Sequence, residues 1–96
     1  MSDREHCEQI ERAREAIDAI DADLVKLLNL RARRAATIGE AKRAMDESIY
    51  QPDREAEVFA HAVGSSEGPL DDGAIRRIFE RILDEARRLE RLSSKK

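Results

Sequence analysis

The chain has no tryptophan, one tyrosine, two phenylalanines, two histidines and one cysteine among its 96 residues. So few rings leave no stacking platform for bases, and the cations form no continuous surface that the sequence demands, so nucleic acid is not an expected partner. Cys7 has no second cysteine for an intrachain disulfide. With His6 beside it, it supplies only two possible metal ligands, and no metal is expected. No stretch is long or apolar enough to span a membrane, and the charged N-terminus does not resemble a secretion signal, which makes the cytoplasm the expected compartment. Strand-like alternation, internal repeats and low-complexity tracts are missing too, so the expected fold class is all-α, in one domain spanning 1–96 with its core at about 5–92.

What the chain does have is a long apolar stripe with a heptad period. Ile10, Ile17, Leu24, Arg31, Ile38 and Met45 recur every seven residues, with Ala13, Ile20, Leu27, Arg34 and Ala41 as the companion row. Ser2 followed by Glu5 can form a capping box, and the helix so opened continues to about Met45 with Gly39 as its interior weakness. Forty or so residues of helix extend roughly 60 Å, too long for the remaining chain to cover, so a partner copy is expected. Arg31 lies on the stripe itself. A guanidinium where a seam wants leucine costs stability unless an anion meets it, which makes Arg31 the first suspect for ligand binding.

Residues 45–51 break the pattern, and Pro52 suits the opening turn of a second helix because its missing amide donor is not needed there. Asp53 and Glu55 place negative charge near that N-terminus, and Val58, Phe59, Ala62 and Val63 supply an apolar face before Gly64. Residues 64–69 read as a turn. Asp71 is the expected N-cap of a third helix with the face Ile75, Ile78, Phe79, Ile82, Leu83, Ala86 and Leu89, and with Glu90 on its edge. Arg76, Arg77, Arg81, Arg87 and Arg88 are expected to face solvent, and residues 93–96 to fray. The architecture is a long helix, a short one and a medium one.

The net charge of −3 hides a local imbalance, since residues 31–43 carry Arg31, Arg33, Arg34, Lys42 and Arg43 against Glu40 alone. Arg31 and Lys42 are eleven residues apart, close to three turns, so they point in nearly the same direction at about 16 Å and could grip a small dianion from its ends. Arg14 stands seventeen residues before Arg31, about 25 Å away, and could instead reach the equivalent site of an antiparallel partner. The break after the first helix would bring Arg54 and Glu55 near Lys42, and Glu90 could arrive from the third helix. Such a pocket holds no histidine and no paired nucleophile and base, and suits binding and electrostatic catalysis. On charge and spacing alone a helical interaction module stands beside it, with Arg31 paired to a partner's acid, Lys42 solvated and Glu55 a plain helix-terminal carboxylate.

These residues resemble the all-helical chorismate mutases, including the mutase domains joined to prephenate dehydratase. The resemblance runs from about Ile10 to Glu90 through Arg14-Glu15-Ala16-Ile17-Asp18, Leu27-Leu28-Asn29-Leu30-Arg31, Ile38-Gly39-Glu40-Ala41-Lys42, Tyr50-Gln51-Pro52-Asp53-Arg54-Glu55 and Ile78-Phe79-Glu80-Arg81-Ile82. It implies an intertwined homodimer of three-helix protomers, with two sites each completed by Arg14 of the other subunit. It also implies that Arg31 binds a carboxylate of chorismate, that Lys42 contacts the ether oxygen and a carboxylate, and that Glu55 holds the ring hydroxyl beside Arg54. Glu90 occupies a position where relatives use glutamine or glutamate. Ala86 stands where many place a serine, and Gln51 where some place an aspartate. The implied reaction is the Claisen rearrangement of chorismate to prephenate, without cofactor, in aromatic amino acid biosynthesis. Isochorismate pyruvate lyase shares the fold and a similar pocket, and a role supporting a regulatory partner enzyme is a further expectation.

Overall fold

In a computed structural model the described residues are 1–48 and 51–93, and they form three helices, α1 (Asp3–Ala44), α2 (Pro52–Ser65) and α3 (Asp72–Ser93). Ile49 and Tyr50 of the expected break, and residues 94–96 of the expected frayed end, lie outside the described residues. The described residues contain no strand. Among the described residues no helix is long and apolar enough to cross a membrane.

Helix starts follow the capping chemistry. The amide of Glu5 donates to Ser2 Oγ at 3.2 Å, and the amide of Ala74 donates to Asp71 Oδ1 at 2.8 Å, each satisfying a first-turn donor that has no partner within its helix. Pro52 opens α2, where the amide of Glu55 donates to the Gln51 carbonyl at 3.1 Å. At the end of α1 the Asp46 amide donates to the Arg43 carbonyl and the Glu47 amide to the Lys42 carbonyl at 2.8 Å. That is a Schellman closure, and it requires the left-handed backbone that Asp46 adopts at φ 58. It fixes the last turn of α1 around Lys42. Helix α2 runs past Gly64 to Ser65, one turn residue later than the sequence suggests, because Ser65 Oγ bonds the His61 carbonyl and the closing amide comes from Ser66.

The chain divides into two compact units, residues 1–31 and 32–96. In the first, residues 1–30 are all exposed, and the apolar row of Ile10, Ile17, Leu24 and Leu27 is at least half accessible. In the second, α2 and α3 pack on one another around Ala62 and Leu83, the buried hydrophobic residues among those described, with Val58, Phe59, Val63, Ile75, Phe79 and Ile82 half-buried. Arg76 lies over the Phe59 ring at 4.4 Å from its centroid, a cation–π contact that ties the two helices near their connection. A fully buried leucine contributes about 2 kcal/mol, so a core this thin leaves much apolar surface for something else to cover.

Candidate active site

The chemistry of the second unit gathers around Glu90. Gly39, on the last turns of α1, is buried, and a Cβ built on it would sit 3.8 Å from Glu90 Cγ. That is ordinary van der Waals distance, so the contact marks where the Glu90 side chain of α3 reaches the last turns of α1. Beside this contact is a shallow cleft, open to solvent, with about 20 Å³ of room, lined by Ala32, Ala35, Ala36, Arg43, Ala86, Leu89 and Glu90. Alanines recurring on α1 make that space, because a longer side chain at any of them would fill it.

Burial against this largely apolar lining pushes the Glu90 carboxyl above its ordinary pKa, and nearby Glu55 adds to the rise. Lys42, Arg43 and Arg87 pull the other way, and the net direction is upward. Lys42 and Glu55, expected near Glu90 from the sequence, are thus each within electrostatic reach of Glu90. Lys42 is half-buried and makes no ion pair among the described residues.

Glu55 and Arg87 form the ion pair that joins two helices among the described residues, Arg87 Nη1 donating to Glu55 Oε2 at 2.8 Å. Arg87 Nη2 donates to Asp84 Oδ1 at 3.0 Å. The side chains of Arg87 and Glu55 are only 34% and 27% accessible. The sequence pattern places Arg87 in solvent, and the structure corrects it. Leu83, Ala86, Arg87 and Glu90 share one face at helical spacing, so the register already carries the signal, and the charge of Arg87 masks it.

Arg54 turns to Glu57 at 3.3 Å and stays exposed, since neighbours on a helix point about 100° apart and Glu55 takes the direction of α3. Gln51 is exposed, and its side chain makes no cap bond to α2. Ala86 is half-buried in the cleft wall. In the first unit, Arg14 pairs with Glu11 at 3.1 Å on the surface. Arg31 is the half-buried residue there, and its guanidinium meets no carboxylate among the described residues. Among the described residues no group of three histidine, cysteine or acidic side chains is placed to hold a metal ion. What the cluster offers is a carboxyl biased toward its protonated, hydrogen-bond-donating form within a cationic field, next to a small cleft.

The family model for chorismate mutase type II matches residues 13–91. The bifunctional chorismate mutase/prephenate dehydratase of Neisseria gonorrhoeae is 40% identical over 78 residues, which are 81% of this chain and 21% of that protein. The protein of the same name from Pseudomonas aeruginosa is 33% identical over 91 residues, 86% of this chain and 24% of that one. This chain therefore spans between a fifth and a quarter of the length of these curated relatives. Among solved structures, chorismate mutase (form II) from Thermus thermophilus superposes with a TM-score of 0.83 at 29% identity, covering 86% of this chain and 94% of that one.

Proposed function

This chain belongs to the chorismate mutase type II family, and from that premise we propose that it rearranges chorismate to prephenate. The observation that carries the reading is the half-buried Glu90 carboxyl, held toward its protonated form beside the cleft and within the field of Lys42. The rearrangement is intramolecular. One carbon–oxygen bond breaks as a carbon–carbon bond forms, no proton has to leave, and no nucleophile is needed. Catalysis then reduces to holding the substrate in its compact reactive shape and stabilising the negative charge that develops on the ether oxygen.

Each residue takes one part of that work. Arg14 and Arg31 bind the two carboxylates, and Arg31 is suited to it because a half-buried guanidinium without an anion gains most when one arrives. Lys42 and protonated Glu90 face the ether oxygen. Glu55 accepts from the ring hydroxyl, with Arg54 and the Gln51 backbone at the pocket edge. Ala86 contributes no hydroxyl, which removes one hydrogen bond of about 1 kcal/mol from substrate binding.

A second copy of the chain completes the site. The exposed apolar row of α1 is too long to leave in water, and an isolated helix is marginal without packing. Residues 1–30 carry eight carboxylates against four cations, and residues 31–43 carry five cations against one carboxylate. An antiparallel copy sets these opposite charges against each other and carries Arg14 toward the partner's Lys42. The relatives' names couple a mutase to a prephenate dehydratase, which supports a prephenate-consuming enzyme as functional partner.

The test is to supply chorismate and isochorismate separately to the purified chain and identify the products. Prephenate from chorismate is the expected result. Pyruvate and salicylate from isochorismate, with chorismate untouched, would make the chain a lyase. No turnover of either, with assembly unaffected by both, would make it an interaction module.

A further inference from the structure

Arg87 has no part in the site as the resemblance assigns it, yet it holds the one Glu55 oxygen with a hydrogen-bond partner among the described residues. A guanidinium is planar and presents its donors as a fixed fork, so anchoring Nη2 on Asp84 sets the direction in which Nη1 reaches Glu55. Asp84 lies one turn earlier on the same helix, which makes the anchor local and independent of how α2 is seated. Both members of the Arg87–Glu55 pair are mostly shielded from water, so their attraction is screened less than that of the surface pairs along α1 and α3.

We propose that Arg87 is a positioning residue for the reaction: it clamps Glu55 by one carboxylate oxygen so that the other stands ready to accept the substrate's ring hydroxyl. The proposal rests on the reading of Glu55 as the hydroxyl-binding residue. The clamp has a second use, because the substrate brings two carboxylates and an uncompensated Glu55 would repel it. The Arg87 cation offsets that charge while leaving the lone pairs of the second oxygen available. Arg87 also faces Glu90, together with Lys42 and Arg43 from α1 and Glu55 from α2. Removing it therefore raises the proton affinity of Glu90, an effect that loss of packing alone would not produce.

The experiment is the steady-state kinetics of chorismate turnover by the full chain, as a function of pH, for Arg87→Met, Arg87→Lys, Glu55→Gln and the double variants. Arg87→Met is expected to raise KM about tenfold with kcat within about threefold, since the hydroxyl contact exists before and during the reaction. Arg87→Lys recovers part of the loss, and in the Glu55→Gln background Arg87→Met changes KM by less than about twofold. The alkaline limb of the pH profile moves to higher pH in Arg87→Met. Parent-like kinetics in Arg87→Met, or an equal KM increase in both backgrounds, would overturn the proposal and leave Arg87 a packing residue. Glu55→Gln behaving as the parent would instead overturn the reading of Glu55, and the clamp with it. Should Arg87→Met lose helicity, the same cycle with Arg87→Lys decides, its expected KM increase of about threefold again vanishing without Glu55.

Discussion

Lys42→Met lowers kcat for chorismate by about a hundred- to a thousandfold, the range seen when one preorganised electrostatic contact to a developing oxyanion is removed. Methionine keeps the apolar stem and roughly the volume, so the last turn of α1, closed by the Lys42 and Arg43 carbonyls, retains its backbone bonds. Helicity by circular dichroism is expected to match the parent. Charge on the ether oxygen is small in bound chorismate and larger as the bond breaks, so the loss falls on kcat more than on KM. A second signature follows from the field around Glu90. Lys42 is the strongest of the cations that lower its proton affinity, and without it the carboxyl holds its proton to higher pH. Measuring kcat on the acidic plateau of each variant separates the two effects, and a kcat within about threefold of the parent there would remove Lys42 from the reaction.

The pH profile itself is the second large effect. Burial raises the folded-state pKa of Glu90 above the ordinary carboxylate value, against the opposing pull of Lys42, Arg43 and Arg87. Only the protonated form can donate to the ether oxygen, and its population falls as pH climbs through the raised pKa. Activity is therefore highest on the acidic side of that pKa and declines above it, by about tenfold for each further pH unit while protonated Glu90 carries the reaction. The two substrate carboxylates add negative charge and push the limb to still higher pH in the complex. Glu90→Gln donates from an amide at every pH, so its profile is flat through the same window and it exceeds the parent at the alkaline end. Equal slopes in parent and Glu90→Gln would take Glu90 protonation out of the mechanism.

The features legible in the sequence are those set by neighbours a turn or less away. Ser2 and Asp71 mark helix starts because capping is a local hydrogen bond between residues three apart, and Pro52 marks one because the first turn needs no amide donor from it. Helical period places Ile75, Phe79, Ile82, Leu83 and Ala86 on a face that is at least half-buried, whereas Ile78 and Leu89 of the expected face stay exposed. Arg87 is misread although its register places it on that face, because a charged side chain reads as solvent-facing and the carboxylate that receives it, Glu55, is 32 residues away. Arg54 and Glu55 are grouped by adjacency in the sequence, whereas the helix splays them and only Glu55 turns to α3. The Asp46 turn that closes α1 gives no glycine signal, since aspartate also tolerates the left-handed region. Of the proposed site residues, the grouping of Lys42, Glu55 and Glu90 is thus anticipated, and the guanidinium that orders Glu55 is not.

A site shared between two copies is tested most directly by subunit complementation. Arg14→Ala and Lys42→Met chains, each expected to be nearly inactive, are mixed in denaturant and refolded together. With Arg14 supplied across the interface, half of the dimers are mixed and each has one intact site of two, so chorismate turnover recovers to about a quarter of the parent's. Recovery no greater than the sum of the two variants refolded alone would contradict the shared site.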